Sequence, residues 1–209
     1  MVEPGVAAAD AHAAGSEPSP FGVTSRKLAI WMFIVADAAT FAALLFAYGY
    51  VRVANPDWTR PFAFWPSIAN AIVMTVILLT SSLTMIGAVL AAQAGRSRDA
   101  LRWLVATMGL GTLFAGLHLR EWSSMIGAGW RLFRNPLGGT PLVGATFFGV
   151  TGLHLLHVVS GVAVIGVIAL GYRRGRFDAG HLETTGLYWH FVDLVWMFVF
   201  PLIYLLNLR

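Results

Sequence analysis

The hydrophobic pattern of the chain consists of five long apolar runs separated by short polar segments. The runs cover approximately residues 28–51, 67–94, 101–119, 141–172 and 184–207. A helix needs about 20 apolar residues to cross the hydrocarbon core of a bilayer, and each run is close to this length or longer. The pattern therefore predicts an all-α membrane protein built as a bundle of five transmembrane helices.

The first residues of the chain differ from the rest in composition. Residues 1–25 are rich in Ala, Gly, Pro and Ser and contain three acids but no Lys or Arg, which is typical of a disordered segment. A cleavable signal peptide begins with a basic region, whereas the first bases here are Arg26 and Lys27, directly before the first run. We therefore predict a disordered tail over 1–25 and a five-helix transmembrane domain over 26–209.

The positions of the basic residues predict an orientation. Eight of the 14 Lys and Arg residues lie in the tail and in the second and fourth connections, and six lie in the other connections and at the C-terminus. Cytoplasmic segments of membrane proteins carry the excess of Lys and Arg. The count predicts a cytoplasmic N-terminus and, after five spans, a C-terminus outside.

The composition narrows the possible functions. With 57% hydrophobic and only 11% charged residues, the chain has too little polar surface for a soluble globule, and its net charge of +4 is explained by topology rather than by nucleic-acid binding. There are no cysteines, which excludes iron–sulfur clusters and thiolate-bound copper in this chain. The composition therefore indicates an integral membrane protein.

The last apolar run contains an ionisable pair. His190 and Asp193 are three residues apart and so lie on one face of a helix. An acid inside a span costs at least about 2.5 kcal/mol, and such residues face protein or water and often mark function. The simpler interpretation is that the pair joins two helices by hydrogen bonds.

Further ionisable residues fall at a similar depth. Asp37 lies nine residues into the first predicted helix, about 13 Å along its axis and near the middle of the membrane. His154 and His157 form an i, i+3 pair on the fourth helix, and His157 is expected near the level of Asp37, His190 and Asp193. We predict a polar cluster inside the bundle.

Three interpretations of the cluster are open. Histidines and acids can bind a metal, but membrane di-iron enzymes use many more histidines than the six present here. The pairs can be structural hydrogen bonds of about 1 kcal/mol each, an interpretation that suits His154 and His157. For Asp37, which stands alone among apolar residues, a role in proton handling is supported as well as a purely structural role.

One acid lies at a predicted helix end. Glu121 follows the third apolar run, next to Arg120, and is expected to neutralise an arginine at the outer surface.

The motifs are specific enough to indicate a family. Four segments, in the right order, resemble subunit III of the haem-copper respiratory oxidases: FIVADAATF (33–41), LFAGLHLREW (113–122), TFFGVTGLHLLHVVSG (146–161) and YWHFVDLVWMFVFPLIYLL (188–206). Asp37 stands where that family usually has a Glu. The resemblance extends from about Leu28 to the C-terminus.

The resemblance implies a subunit without a redox centre of its own. It would pack on the catalytic subunit I, share a complex with subunit II, bind phospholipid and support proton uptake, while haem and copper reside in the partner. The complex would be a proton-translocating cytochrome c or quinol oxidase that reduces O₂ to water.

The chain resembles the short bacterial form with five helices, because it lacks the first two helices of the common seven-helix form. Two alternatives stay open at this point. One is an accessory membrane subunit of a nitric oxide reductase system, and the other is a freestanding membrane metalloenzyme.

Overall fold

The computed structural model describes residues 24–209 and forms a bundle of five helices. These are α1 (Ser25–Ala54), α2 (Ala69–Gln93), α3 (Ser97–Gly127), α4 (Leu142–Arg173) and α5 (Ala179–Val199). A wide π-helical turn, Phe64–Ile68, precedes α2, and a similar turn followed by a 3₁₀ turn extends α5 to Asn207. All five are long and apolar enough to cross a membrane, which confirms the predicted five-helix fold. Except for Thr24 and Ser25, the predicted tail lies outside the described residues.

Polar side chains cap two helices at the same end of the bundle. Thr24 accepts a hydrogen bond from the backbone amide of Lys27 at the start of α1. Asp178 accepts one from the amide of His181 at the start of α5. Caps of this kind satisfy amides that have no partner in the first helical turn. Hydrogen bonds from the side chain and backbone of His181 also hold the pKa of Asp178 below its ordinary value.

The α5 helix lies at the centre of the bundle and α1 at its edge. Half of the residues in the apolar stretch of α5 are buried, against 6% for α1. α1 packs mainly on α5 and less on α4, whereas α2 and α3 make the most extensive contact in the protein. Most of the apolar surface of α1 is therefore free to meet lipid or another protein.

Close helix contact is concentrated around Trp189 of α5. A Cβ atom at Gly111 of α3 would lie 2.7 Å from the indole, and one at Gly161 of α4 would lie 2.9 Å from it. The indole N–H donates to the Ser81 hydroxyl of α2 at 3.0 Å. Three helices thus surround one tryptophan, and two of them can do so only because they present glycine there.

Two helices differ from the expectation at the same end of the bundle. The α3 helix continues past residue 119 to Gly127, so Arg120 and Glu121 lie within it. The charge does not end the helix because the Glu121 carboxylate is buried and hydrogen-bonded inside the bundle. In the last helix, Pro201 has no amide to donate, and the backbone widens into a π-helical turn there.

The segment between α1 and α2 is attached to the C-terminus. The Phe62 amide donates to the Asn207 carbonyl at 3.3 Å, and the Arg209 amide donates to the Phe62 carbonyl at 2.9 Å. The Asn207 side chain donates to the Tyr48 hydroxyl and accepts from the Trp58 indole, both at 2.9 Å. These bonds close one end of the bundle.

Candidate functional site

The first polar pair joins α1 to α4. Oδ2 of Asp37 lies 3.2 Å from Nε2 of His157, and the two side chains are 12% and 13% exposed. The separation is that of an ion pair, although Oδ2 has no well-aligned hydrogen bond. The structure thus brings together two residues that the sequence analysis placed at one depth.

The protonation of this pair is constrained by its surroundings. Nδ1 of His157 lies 2.8 Å from the Leu153 carbonyl, which can only accept, so Nδ1 carries a hydrogen. In the neutral ring Nε2 is then a bare acceptor, and it faces a carboxylate oxygen that is also an acceptor. The two atoms attract each other only when a proton lies on one of them. The pair is therefore suited to holding one proton.

Neighbouring residues hold His157 in place. The ring of Phe41 packs edge-on against the imidazole with centroids 5.4 Å apart. The hydroxyl of Tyr188 lies 3.0 Å from the Ser160 hydroxyl and donates to the His157 carbonyl at 3.2 Å. Through Tyr188, helix α5 therefore also contacts the helix segment that carries His157.

The second polar group joins α2 to α5. The Ser82 hydroxyl lies 2.7 Å from Nδ1 of His190 and close to the carboxylate of Asp193. Asp193 is buried, and its Oδ1 atom has no partner among the described residues. Sequence reasoning paired His190 with Asp193 but missed the Ser82 hydroxyl of another helix, which is hydrogen-bonded to His190 and lies close to Asp193.

These two groups are separate. No hydrogen bond or ion pair between residues 24 and 209 links the Asp37 pair to the Ser82 group. The prediction that Asp37, His157, His190 and Asp193 lie near one level came from helix register, whereas their partners depend on which faces pack together. The four residues are two interhelical contacts rather than one connected cluster.

His154 belongs to neither group. Its ring is fully buried between α3 and α5, with its centroid 5.1 Å from that of Trp196 and 5.7 Å from that of Phe114. Although His154 and His157 lie on one side of α4, they diverge, His157 towards α1 and His154 towards the aromatic interior. The structure therefore does not bring His154 together with His157, His190 or Asp193, which share the predicted list of polar residues.

Glu121 also has a partner that was not expected. It accepts a hydrogen bond from the Tyr204 hydroxyl at 3.0 Å and is 7% exposed. The expectation that it neutralises an arginine is corrected, because its carboxylate points into the bundle. Tyr204 could not be identified beforehand, since nothing distinguishes it from the other aromatic residues of the last apolar run.

The described residues, 24–209, include no group of three or more His, Asp or Glu side chains placed to hold one metal ion. A bundle of five apolar helices, each long enough to span a membrane, with polar contacts between several of them, defines the class as a multi-pass helical membrane protein.

Comparison with known proteins identifies the family. Residues 21–207 match the family described as cytochrome c oxidase subunit III, and the chain belongs to this family. The resemblance found in the sequence motifs is thereby confirmed.

Relatives cover nearly the whole chain. A cytochrome c oxidase subunit 3 from Alkalihalophilus pseudofirmus is 29% identical over 88% of this chain and 87% of its own length. A cytochrome bo(3) ubiquinol oxidase subunit 3 from Pseudomonas aeruginosa is 28% identical over 95% of this chain and 94% of its own. A haem-copper oxidase subunit I+III from Aeropyrum pernix is 28% identical over 89% of this chain, which corresponds to 23% of that longer protein.

We expect Ser82→Ala to destabilise the bundle, because it removes the hydrogen bond between the Ser82 hydroxyl of α2 and the His190 ring of α5. The loss in free energy of unfolding should be about 0.6–2 kcal/mol, the range for hydrogen bonds between membrane helices. This change in the free energy of unfolding can be measured by unfolding the purified chain with increasing concentrations of SDS.

Thr80→Ala is the matched control. The Thr80 hydroxyl is exposed and donates to the Val76 carbonyl of its own helix at 2.7 Å. Its removal should leave stability nearly unchanged, and equal losses for the two variants would show that the Ser82 contact contributes nothing.

Proposed function

We propose that this chain is subunit III of a bacterial haem-copper terminal oxidase, located in the inner membrane. The observation that carries this proposal is the family match over residues 21–207. In the complex, O₂ is reduced to water at haem and copper in the catalytic subunit I, with subunit II present beside it. In this proposal the chain holds no redox centre and supports proton uptake and the stability of the complex.

Contact with subunit I is supported by two observations. The relative from Aeropyrum pernix bears the name subunit I+III, which unites the two subunits in one chain. In this protein α1 exposes a broad apolar surface formed by large side chains: Trp31, Met32, Phe33, Val35, Phe46, Tyr50 and Val53. We propose that part of this surface packs on subunit I and the rest meets lipid.

A groove beside α1 suits phospholipid. It has a volume of about 500 Å³ and is lined by residues of α1, α4 and α5, among them Ile30, Phe33, Val164 and Tyr188. Arg26 lies at its end, so a lipid phosphate can pair with the guanidinium while an acyl chain follows the apolar wall. Bound lipid would then fill space between α1 and its neighbours.

The Asp37–His157 pair supports proton uptake in this proposal. It joins the peripheral helix α1 to α4, is mostly buried and places a carboxylate oxygen 3.2 Å from an imidazole nitrogen, close enough to share a proton. Its position beside the surface assigned to subunit I would keep the proton-input side of that subunit hydrated and intact. Asp37 is one methylene shorter than the Glu that the family usually has at this position, and His157 still lies 3.2 Å from its carboxylate.

The orientation proposed from charge places Thr24 and the capped starts of α1 and α5 towards the cytoplasm. Single cysteines test it, because the chain has none of its own. A cysteine at Ser97, the first residue of α3, should resist a membrane-impermeant thiol reagent in intact cells, whereas one at Leu137, between α3 and α4, should react. Both side chains are on exposed residues, and the reverse pattern would invert the topology.

Affinity purification through a tag on this chain tests the assignment as an oxidase subunit. We expect co-purification of a larger haem-containing subunit, with a haem absorption spectrum and one copy of this chain per complex. The same tag on an unrelated multi-pass protein of the host is the control. Recovery of the chain without haem, or with a nitric oxide reductase, would contradict the assignment.

Asp37→Asn tests the proton role, since it removes the charge and keeps the shape. In assembled complex with verified haem content and subunit stoichiometry, we expect O₂ consumption to fall or to decay faster over many turnovers. Unchanged rate, lifetime and pH dependence would eliminate the role.

His157→Gln provides the matched comparison. Residues in contact couple by about 0.5–3 kcal/mol, so the double variant should lose little more activity than either single one. Asp193→Asn, which alters an acid at the α2–α5 contact, should leave turnover per haem unchanged. Additive losses at Asp37 and His157 would show that they do not act as a pair.

A further inference from the structure

Two histidines lie fully buried in the aromatic interior. His118 of α3 and His154 of α4 are each 0% exposed, and neither ring nitrogen of either residue has a hydrogen-bond partner among the described residues. Oε1 of Glu121 is a fifth buried atom without a well-aligned hydrogen bond, although the Asn70 side chain lies close to this carboxylate. The Asp37–His157 pair and the Ser82 group use none of these atoms.

The five atoms border one region of the bundle. The rings of Phe114 and Trp196 each contact both imidazoles, with centroid separations between 4.9 and 5.8 Å within this set of rings. Glu121 follows His118 by three residues and so lies on the same face of α3. Its other oxygen is held by Tyr204, whose ring lies 5.8 Å from that of Trp196.

The surrounding aromatic rings offer these atoms only weak contacts, because an N–H···π interaction is much weaker than a hydrogen bond and does nothing for a nitrogen lone pair. The His154 ring stacks on Trp196 with an interplanar angle of 30°, so its N–H and its lone pair point along the ring plane and away from the indole face. An unsatisfied buried polar group costs about 1–3 kcal/mol, and native proteins pair nearly all such groups. The occurrence of such atoms on three side chains around one group of aromatic rings therefore favours a ligand that supplies both donors and acceptors.

Water meets this requirement better than a metal. A neutral imidazole has one donor and one acceptor, and a water molecule can accept from the first and donate to the second in either tautomer. A metal would satisfy only the lone pairs, and the described residues provide no group of three ligands for it.

An opening to the surface adjoins the region. A cavity of about 120 Å³ is lined by Pro66, Ser67, Asn70, Ser124 and other residues, and Glu121 forms part of its wall. One water requires about 10–15 Å³ of such space, so several fit. Glu121 thus borders both the cavity and the buried imidazoles.

We propose that His118, His154 and Glu121 form an internal hydration site, in which ordered water molecules bridge the imidazole nitrogens to Oε1 of Glu121 and exchange with the cavity at Pro66 and Asn70. The bridging waters connect the buried imidazoles to Glu121 and, through the cavity that Glu121 borders, to the solution at the end of the bundle that carries the C-terminus. The site is separate from the Asp37–His157 pair.

X-ray radiolytic footprinting of the purified complex tests the proposal, because hydroxyl radicals formed from bound water oxidise the side chains next to it. We expect Trp196 to be oxidised several-fold faster than Trp189. The two tryptophans are closely matched in burial and in hydrogen bonding. Both are essentially unexposed, and the indole N–H of Trp196 donates to the Thr75 hydroxyl while that of Trp189 donates to the Ser81 hydroxyl.

A variant localises the water. His154→Phe keeps an aromatic ring on Trp196 and removes both nitrogens, so oxidation of Trp196 should fall towards that of Trp189 while Trp189 is unchanged. If this variant does not fold, the ratio of the oxidation rates of Trp196 and Trp189 in the unaltered protein still tests the proposal.

Equal oxidation rates for the two tryptophans would show that no water lies beside Trp196. One transition metal per chain by elemental analysis, lost in His118→Phe, would replace water with a metal site and overturn the proposal.

Discussion

A bilayer offers no hydrogen bonds to the polar groups that enter it, and each such group must find a partner inside the protein. This constraint explains the contacts between the helices. Hydroxyls of α2 receive the two buried indoles of α5, from Trp189 to Ser81 and from Trp196 to Thr75. The same requirement brings Glu121 to Tyr204. The polar side chains therefore determine which helices meet and in what register.

The central position of α5 follows from its bulky residues. Trp189 occupies space left by glycines on α3 and α4, and Trp196 lies among the rings of Phe114, His118 and His154. Large side chains in these positions leave little freedom for the neighbouring helices. The peripheral α1, with few buried residues, is held by a smaller set of contacts and has surface available for a partner.

The two kinds of polar site differ in what they can do. The Asp37–His157 pair is near the bundle surface and joins the loosest helix to the rest, which suits a group that acts together with a neighbouring subunit. The imidazoles of His118 and His154 lie at the centre and are enclosed by aromatic rings. A group there can communicate with solution only through water held inside the protein.

The sequence by itself determined the five apolar helices and the family, because hydropathy and motifs depend only on the order of residues along the chain. Helical rise also placed Asp37 and His157 at one level, where the structure joins them. It did not determine partners. That His157 meets Asp37, that Ser82 serves His190, and that Glu121 meets Tyr204 depends on how the helices rotate and pack. Residues three apart on one helix, such as His154 and His157, can face different neighbours, and only the packed bundle decides which.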